Sequence, residues 1–209
     1  VEDEMIGVIG NMGGDIIYAD NIIRADLPIP NGVKTTEQEV EAAYISDLHL
    51  GSKDTMYDKF DQFAEWLKSE EAKNVGYLVI AGDIVEGVGT YPGQEDELKV
   101  TDIYKQYKMF EEWVQKIPER IQLVIGPGNH DISRPAEPQP RLPEKVFPEI
   151  KDYNNVHLVQ NPQMVRLHGI ESQGIKNLMY HGYSFDEHAD QIKELREKAY
   201  EEPHHVMID

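Results

Sequence analysis

The sequence predicts an α/β fold with a largely parallel sheet, and two observations carry that prediction. Apolar runs of strand length alternate with stretches whose apolar residues recur at helical spacing. The runs also end in the same kind of place, at Asp, His or Asn beside glycine. Val40 to Ser46 is the first run and ends at Asp47. Met56, Phe60, Phe63 and Leu67 then sit at i, i+4, i+7 and i+11, the stripe of a helix facing a core. Tyr77 to Ala81 reads as a buried strand that stops at Gly82-Asp83. Ile103, Tyr107, Phe110, Val114 and Ile117 repeat the helical spacing, and Pro118 marks its end. Gln122 to Ile125 is the next strand and runs into Gly126.

The flanks read differently. In residues 1–36, Ile6 to Ile9, Gly13-Gly14 and Asp15 to Tyr18 have the order of a hairpin with a glycine turn, followed by a proline-punctuated connector. Two or three strands make no independent core, so this stretch is expected to be an edge addition or the end of another domain. The expected division is therefore 1–36 and 37–209. Five prolines between Ser133 and Pro148 predict an ordered but irregular loop. Val156 to Val159, Met164 to Leu167 and Asn177 to Tyr180 read as short strands, and Asp186 to Tyr200 as a charged amphipathic helix.

The chain has 209 residues, 40% of them apolar, enough for a packed core. It has no apolar run near the ~20 residues of a membrane span and no secretory pattern at its start. Without cysteine it has neither disulfides nor a thiolate metal site. A cytoplasmic protein without membrane attachment is the expectation. The formal charge is −19, which repels a polyanion, whereas nucleic-acid binders usually present a basic face. A nucleic-acid substrate would need a local basic patch, another part of the protein, or a partner. Plain solubility, or a salty cytoplasm, would also suit an acidic surface.

The chemistry lies at the strand ends. After Ile45 comes Ser46-Asp47-Leu48-His49; after Ile80, Ala81-Gly82-Asp83; after Ile125, Gly126-Pro127-Gly128-Asn129-His130-Asp131; after Tyr180, His181-Gly182. Carboxyl ends of neighbouring strands in α/β folds face a common crevice, so the four clusters are expected to converge. Asp47 and His49, two apart, project to one side and can grip one ion together. Asp83 can bridge two ions, Asn129 offers an amide oxygen, and His181 an imidazole. Carboxylate, amide and imidazole donors suit Mn²⁺, Fe²⁺ or Zn²⁺. Two such ions about 3.5–4 Å apart would activate water and clamp a phosphoryl group. His130 is expected to be catalytic, protonating the leaving oxygen or stabilising the transition state. His157, His168 and His188 have the look of ordinary surface residues, and the His204-His205 pair lacks a glycine-led turn.

Asp47-Leu48-His49, Gly82-Asp83, Gly128-Asn129-His130-Asp131 and His181-Gly182 together resemble the calcineurin-like metallophosphoesterase superfamily over about residues 40–185. That resemblance implies an α+β sandwich. It assigns Asp47 and His49 to one metal, Asp83 to the bridge, Asn129 and His181 to the second metal, and His130 to acid catalysis. Ile45 to Ser52, Ala81 to Gly89, Tyr91-Pro92-Gly93-Gln94 and Gly126 to Asp131, with Arg134 and Pro138-Gln139-Pro140, are further similar to the small subunits of archaeal family-D DNA polymerases. This similarity implies a proofreading 3′→5′ exonuclease acting on the 3′ end of DNA beside a large catalytic polymerase subunit. The implied cofactors are two divalent ions, Mn²⁺ first, with Fe²⁺ or Zn²⁺ as alternatives. Residues 1–36 resemble the end of the oligonucleotide-binding-type (OB-like) β domain of those subunits.

The superfamily pattern ends in a Gly-His-x-His element that these residues lack. The chain is therefore expected to be an internal portion of a longer protein, binding metal weakly and hydrolysing poorly by itself. A free-standing phosphatase or nucleotide hydrolase is one competing expectation. A non-catalytic scaffold for a polymerase is the other; it gives no physical reason to keep five ligand-type residues.

Overall fold

A computed structural model describes residues 6–24, 35–169, 174–186 and 191. The chain divides into two compact units, Val1–Thr35 and Thr36–Asp209. In the first, β1 (Ile6–Gly13) pairs antiparallel with β2 (Ile16–Arg24), with a register shift at Ile9/Gly10. The turn is Gly14-Asp15, and Gly14 supplies the left-handed φ of +67° that a tight hairpin requires.

The second unit is built on a four-stranded parallel sheet, ordered β3 (Glu41–Ile45), β4 (Val75–Ala81), β5 (Gln122–Gly126), β6 (Val156–Leu158). Helix α1 (Tyr57–Trp66) follows β3, and α2 (Ile103–Val114) follows β4. A separate antiparallel pair, β7 (Gln163–Leu167) and β8 (Ile175–Met179), completes the described elements.

The central strands are apolar on both faces because both faces are covered. Side chains alternate along a strand, so Leu78, Ile80, Leu123 and Ile125 join the cluster containing Tyr107, Phe110, Trp113 and Val114 of α2. Val79 and Val124 point the other way and meet Leu167 and Met179 of the β7–β8 pair. The result is a mixed α/β sandwich with the parallel sheet as its middle layer.

Two expectations are adjusted. The helical stripe proposed for Met56, Phe60, Phe63 and Leu67 holds only in part: Leu67 is fully buried, whereas Met56 is 65% exposed, one residue before α1 begins. All four polar clusters were expected at neighbouring strand ends. Three follow β3, β4 and β5, but His181 follows β8, in the other sheet. The helix expected from Asp186 to Tyr200 lies almost wholly outside the described residues, as do His188, His204 and His205.

Candidate metal centre

The polypeptide leaves β3 and β4 through two loops that hold each other in unusual backbone states. Asp47, His49 and Asp83 have φ of 57°, 45° and 50°, and Gly82 has 99°. Non-glycine residues rarely occupy this left-handed region, and such strain concentrates at functional sites. Inter-loop hydrogen bonds hold it in place. Asp47 N–H donates to Gly82 O at 3.1 Å, and Leu48 and His49 N–H donate to Asp83 O at 2.8 and 3.0 Å. The loop after β5 packs equally closely. A Cβ on Gly128 would lie 2.2 Å from Asp83 Oδ1, and one on Gly82 would lie 2.6 Å from His181 Nδ1. Only glycine lets these backbones approach the two side chains.

The consequence is a cluster of acids and imidazoles. Asp83, 3% exposed, is 3.7 Å from His49 Nε2 and 3.5 Å from His181 Nε2 through its Oδ2, and its Oδ1 accepts from His130 N–H at 2.9 Å. His181 Nε2 also lies 2.9 Å from Asn129 Oδ1. Asp47 Oδ1 stands 3.8 Å from His49 Nε2. The potential ligand atoms fall into two groups that share Asp83: Asp47, Asp83 and His181, and His49, Asp83 and His130. Asp47 and His49 thus separate into different groups, and His130 joins one of them. The structure therefore brings all six sequence-derived residues together. His157, which bonds Gln122, and His168, beside Tyr77, stand apart from it.

Electrostatics fit a cation site. The adjoining His49 imidazole holds the Asp47 carboxyl down to about 2. Asp47 in turn raises His49, outweighing the effect of burial. Burial pulls His181 down, but Asp83 overcomes it and lifts the imidazole to about 9. In the metal-free protein, imidazolium charge is what neutralises the buried carboxylate; a divalent ion would replace those protons. The donor set of hard carboxylate and amide oxygens with borderline imidazoles suits such ions.

A further layer is not evident from sequence. Glu86, 6% exposed, sets Oε2 2.9 Å from His49 Nδ1, off hydrogen-bonding alignment. Its carbonyl accepts from His130 Nδ1–H at 2.8 Å. Gln94, fully buried, holds Glu86 by donating to its backbone O at 2.9 Å and to Oε1 at 3.1 Å. Carboxylates and carbonyls behind histidine ligands fix ring orientation and tautomer. His181 is treated alike: Nδ1 bonds Ala81 O at 2.8 Å, and its N–H donates to Asn161 Oδ1 at 2.9 Å. Asn161 donates to Gln139 Oε1 at 2.7 Å, and Gln139 donates to Gly128 O at 2.9 Å. Asp131 is buried beneath the turn, accepting from Gly128 N–H at 2.8 Å, Ile84 N–H at 3.3 Å and Tyr107 O–H at 3.0 Å. Burial raises its carboxyl to about 6. The signal for these residues was their acid and amide side chains within apolar surroundings, but nothing in a linear pattern says which of them turn inward.

Comparison with known proteins adds a family to this geometry. The DNA polymerase II small subunit of Methanocaldococcus jannaschii is 42% identical over 98% of this chain and 34% of its own length. That of Archaeoglobus fulgidus is 40% identical over 98% of this chain and 41% of its own. For Halobacterium salinarum the figures are 42%, 88% and 36%. The chain thus spans about a third to two fifths of the length of these curated relatives. Among solved structures, the Pseudomonas putida nuclease MPE is similar at 18% identity and a TM-score of 0.28, covering 59% of this chain and 50% of that one. The family model for the DNA polymerase alpha/epsilon B-subunit matches residues 42–178, from β3 through β8 and so through every strand that carries the cluster. This chain belongs to the DNA polymerase alpha/epsilon B-subunit family.

Proposed function

We propose that the chain carries the hydrolytic centre of a DNA polymerase small subunit, a metal-dependent phosphodiesterase that removes nucleotides from a DNA 3′ end beside a large catalytic subunit. The 3′→5′ direction, the proofreading role and the preference for Mn²⁺ rest on the resemblance. The observation that supports the chemistry is the pair of ligand groups sharing the buried Asp83. Asp47, His49, Asp83, Asn129 and His181 would hold two divalent ions, with His130 beside them. When bound, the ions would supply charge stabilisation for the phosphoryl group and an acidified water.

The chain's own residues divide the remaining work. Asp83 is held by the His130 N–H, so its carboxylate is fixed before any ion arrives. His181 and His130 each commit Nδ1 to a backbone carbonyl, which leaves Nε2 as the working atom. On His181 that atom faces Asn129 and Asp83. On His130, Nε2 is the place from which a proton would pass to the leaving oxygen. The Gln94–Glu86 pair keeps the His130 ring in that orientation. Residues 1–36 are proposed to be the end of an adjoining OB-like β domain.

The test uses the full-length protein, with anomalous diffraction from crystals soaked in Mn²⁺ and hydrolysis of a labelled single-stranded oligonucleotide. Two peaks about 3.5–4 Å apart, lost in Asp83→Ala together with Mn²⁺-dependent cleavage, are expected. Two peaks without cleavage would assign the centre to a binding or scaffold role. Hydrolysis of p-nitrophenyl phosphate in preference to DNA would make it a phosphatase instead.

A further inference from the structure

A groove of about 740 Å³ opens beside the cluster. Its polar wall is Asp47, His49, Glu86 and His130, continuous with the ligand groups. Its opposite wall is the start of α1, where Met56, Phe60 and Phe63 face in and Lys59 stands near them. Both phenylalanines are half-buried, with their far sides on Trp113: Phe60 edge-on at 5.6 Å between ring centroids, Phe63 stacked at 6.4 Å. Trp113 Nε1–H also donates to Phe60 O at 3.0 Å. The aromatic wall is therefore rigid before any ligand arrives.

The size and chemistry of the groove narrow what it takes. Its volume lies in the range that encloses an organic molecule and far exceeds the needs of inorganic phosphate. A phosphoester with its phosphorus at the cluster has to direct its organic part along one of the walls. Here that wall offers aromatic rings and a thioether, which suit a flat group with a π-face. The groove's other charged residues are mostly acidic, Asp54 and Glu97 among them, and the chain carries −19 overall. A basic track along a phosphate backbone is thus a poor source of affinity, and apolar contact with a base is a good one.

We propose that this groove holds the terminal base of a single-stranded nucleic acid, packed on Met56, Phe60 and Phe63, while the adjoining phosphate lies at the cluster. The proposal rests on the hydrolytic reading above and adds its substrate subsite. A base still paired and stacked in a duplex could not enter, so the groove would select unpaired ends.

The experiment measures binding to the full-length protein in Mn²⁺ of oligonucleotides ending in 2-aminopurine or in an abasic residue. The wild type is expected to bind the 2-aminopurine end at least about tenfold more tightly, within the usual range of base–aromatic stacking, and to quench its fluorescence. Met56→Asp and Phe60→Leu are expected to bring that ratio close to one without changing metal stoichiometry. Phe60 packs on Trp113 and its variant risks misfolding; Met56, 65% exposed, keeps the test decisive. Equal binding of both ends by the wild type, no binding, or a ratio unchanged in Met56→Asp overturns the groove. Cleavage without base preference would sink the groove and leave the hydrolytic reading standing. Base preference without cleavage would do the reverse.

Discussion

At the scale of single residues, the site is a set of groups kept in costly states by their neighbours. Asp47, His49 and Asp83 each occupy left-handed backbone, at about 1–3 kcal/mol apiece, and the cross-loop hydrogen bonds offset that cost. Protonation follows the same logic. The folded pKa of His181, about 9, lies above the ordinary value of about 6.5. Its stabilisation of the metal-free protein is therefore complete below that ordinary value and is lost as pH rises through about 9. A metal ion has to displace the same proton. Metal affinity is expected to climb with pH up to about 9 and then flatten, and His181→Gln should weaken binding and remove most of the slope; calorimetry in buffers of different ionisation enthalpy counts the released protons. Asp47, already ionised above about 2, should contribute none. Asp131 makes a separate prediction. Removing its carboxylate orphans the N–H groups of Gly128 and Ile84 and the Tyr107 hydroxyl. Asp131→Ala is expected to cost about 2–4 kcal/mol, read as a lower urea midpoint, with Asp131→Asn costing less.

At the scale of elements, legibility depended on whether a pattern was periodic. The alternation of β4 and β5 and the stripe on α2 were readable because burial follows the period of the backbone itself. Periodicity does not mark the start of α2, yet Asp102 caps it, accepting from Tyr104 and Lys105 N–H at 3.0 and 3.3 Å. Asp102→Ala is expected to lower stability by about 1 kcal/mol, measured by thermal unfolding. Loops have no period, and the Glu86–Gln94 pair shows the result. The Tyr91-Pro92-Gly93-Gln94 segment stands out as a motif, but its work is to bring a fully buried amide to Glu86. The loop after β5 tolerates even less change. Gly128→Ala would drive a methyl into Asp83 and is expected to abolish metal binding, checked by metal content after gel filtration, even where circular dichroism is preserved.

Across the whole molecule, charge is the dominant quantity. A chain of −19 repels itself, and added salt screens that repulsion over about 10 Å at 0.1 M. Raising sodium chloride is expected to raise the melting temperature of the metal-free protein, and bound Mn²⁺ should raise it further by mass action; a differential scan with and without chelator separates the two. Among the described residues no helix is long and apolar enough to cross a membrane. The α/β class, the parallel core and the six residues of the cluster are legible in the amino-acid order, since strand period and strand-end chemistry are local properties. Folding had to supply the rest: His181 arrives from a second sheet, Asp83 is shared between two ligand groups, and Glu86, Gln94 and Asp131 turn inward beneath them. Those facts depend on which loops pack together, and loop packing is set by contacts between residues as much as 100 positions apart, as His181 and Ala81 are.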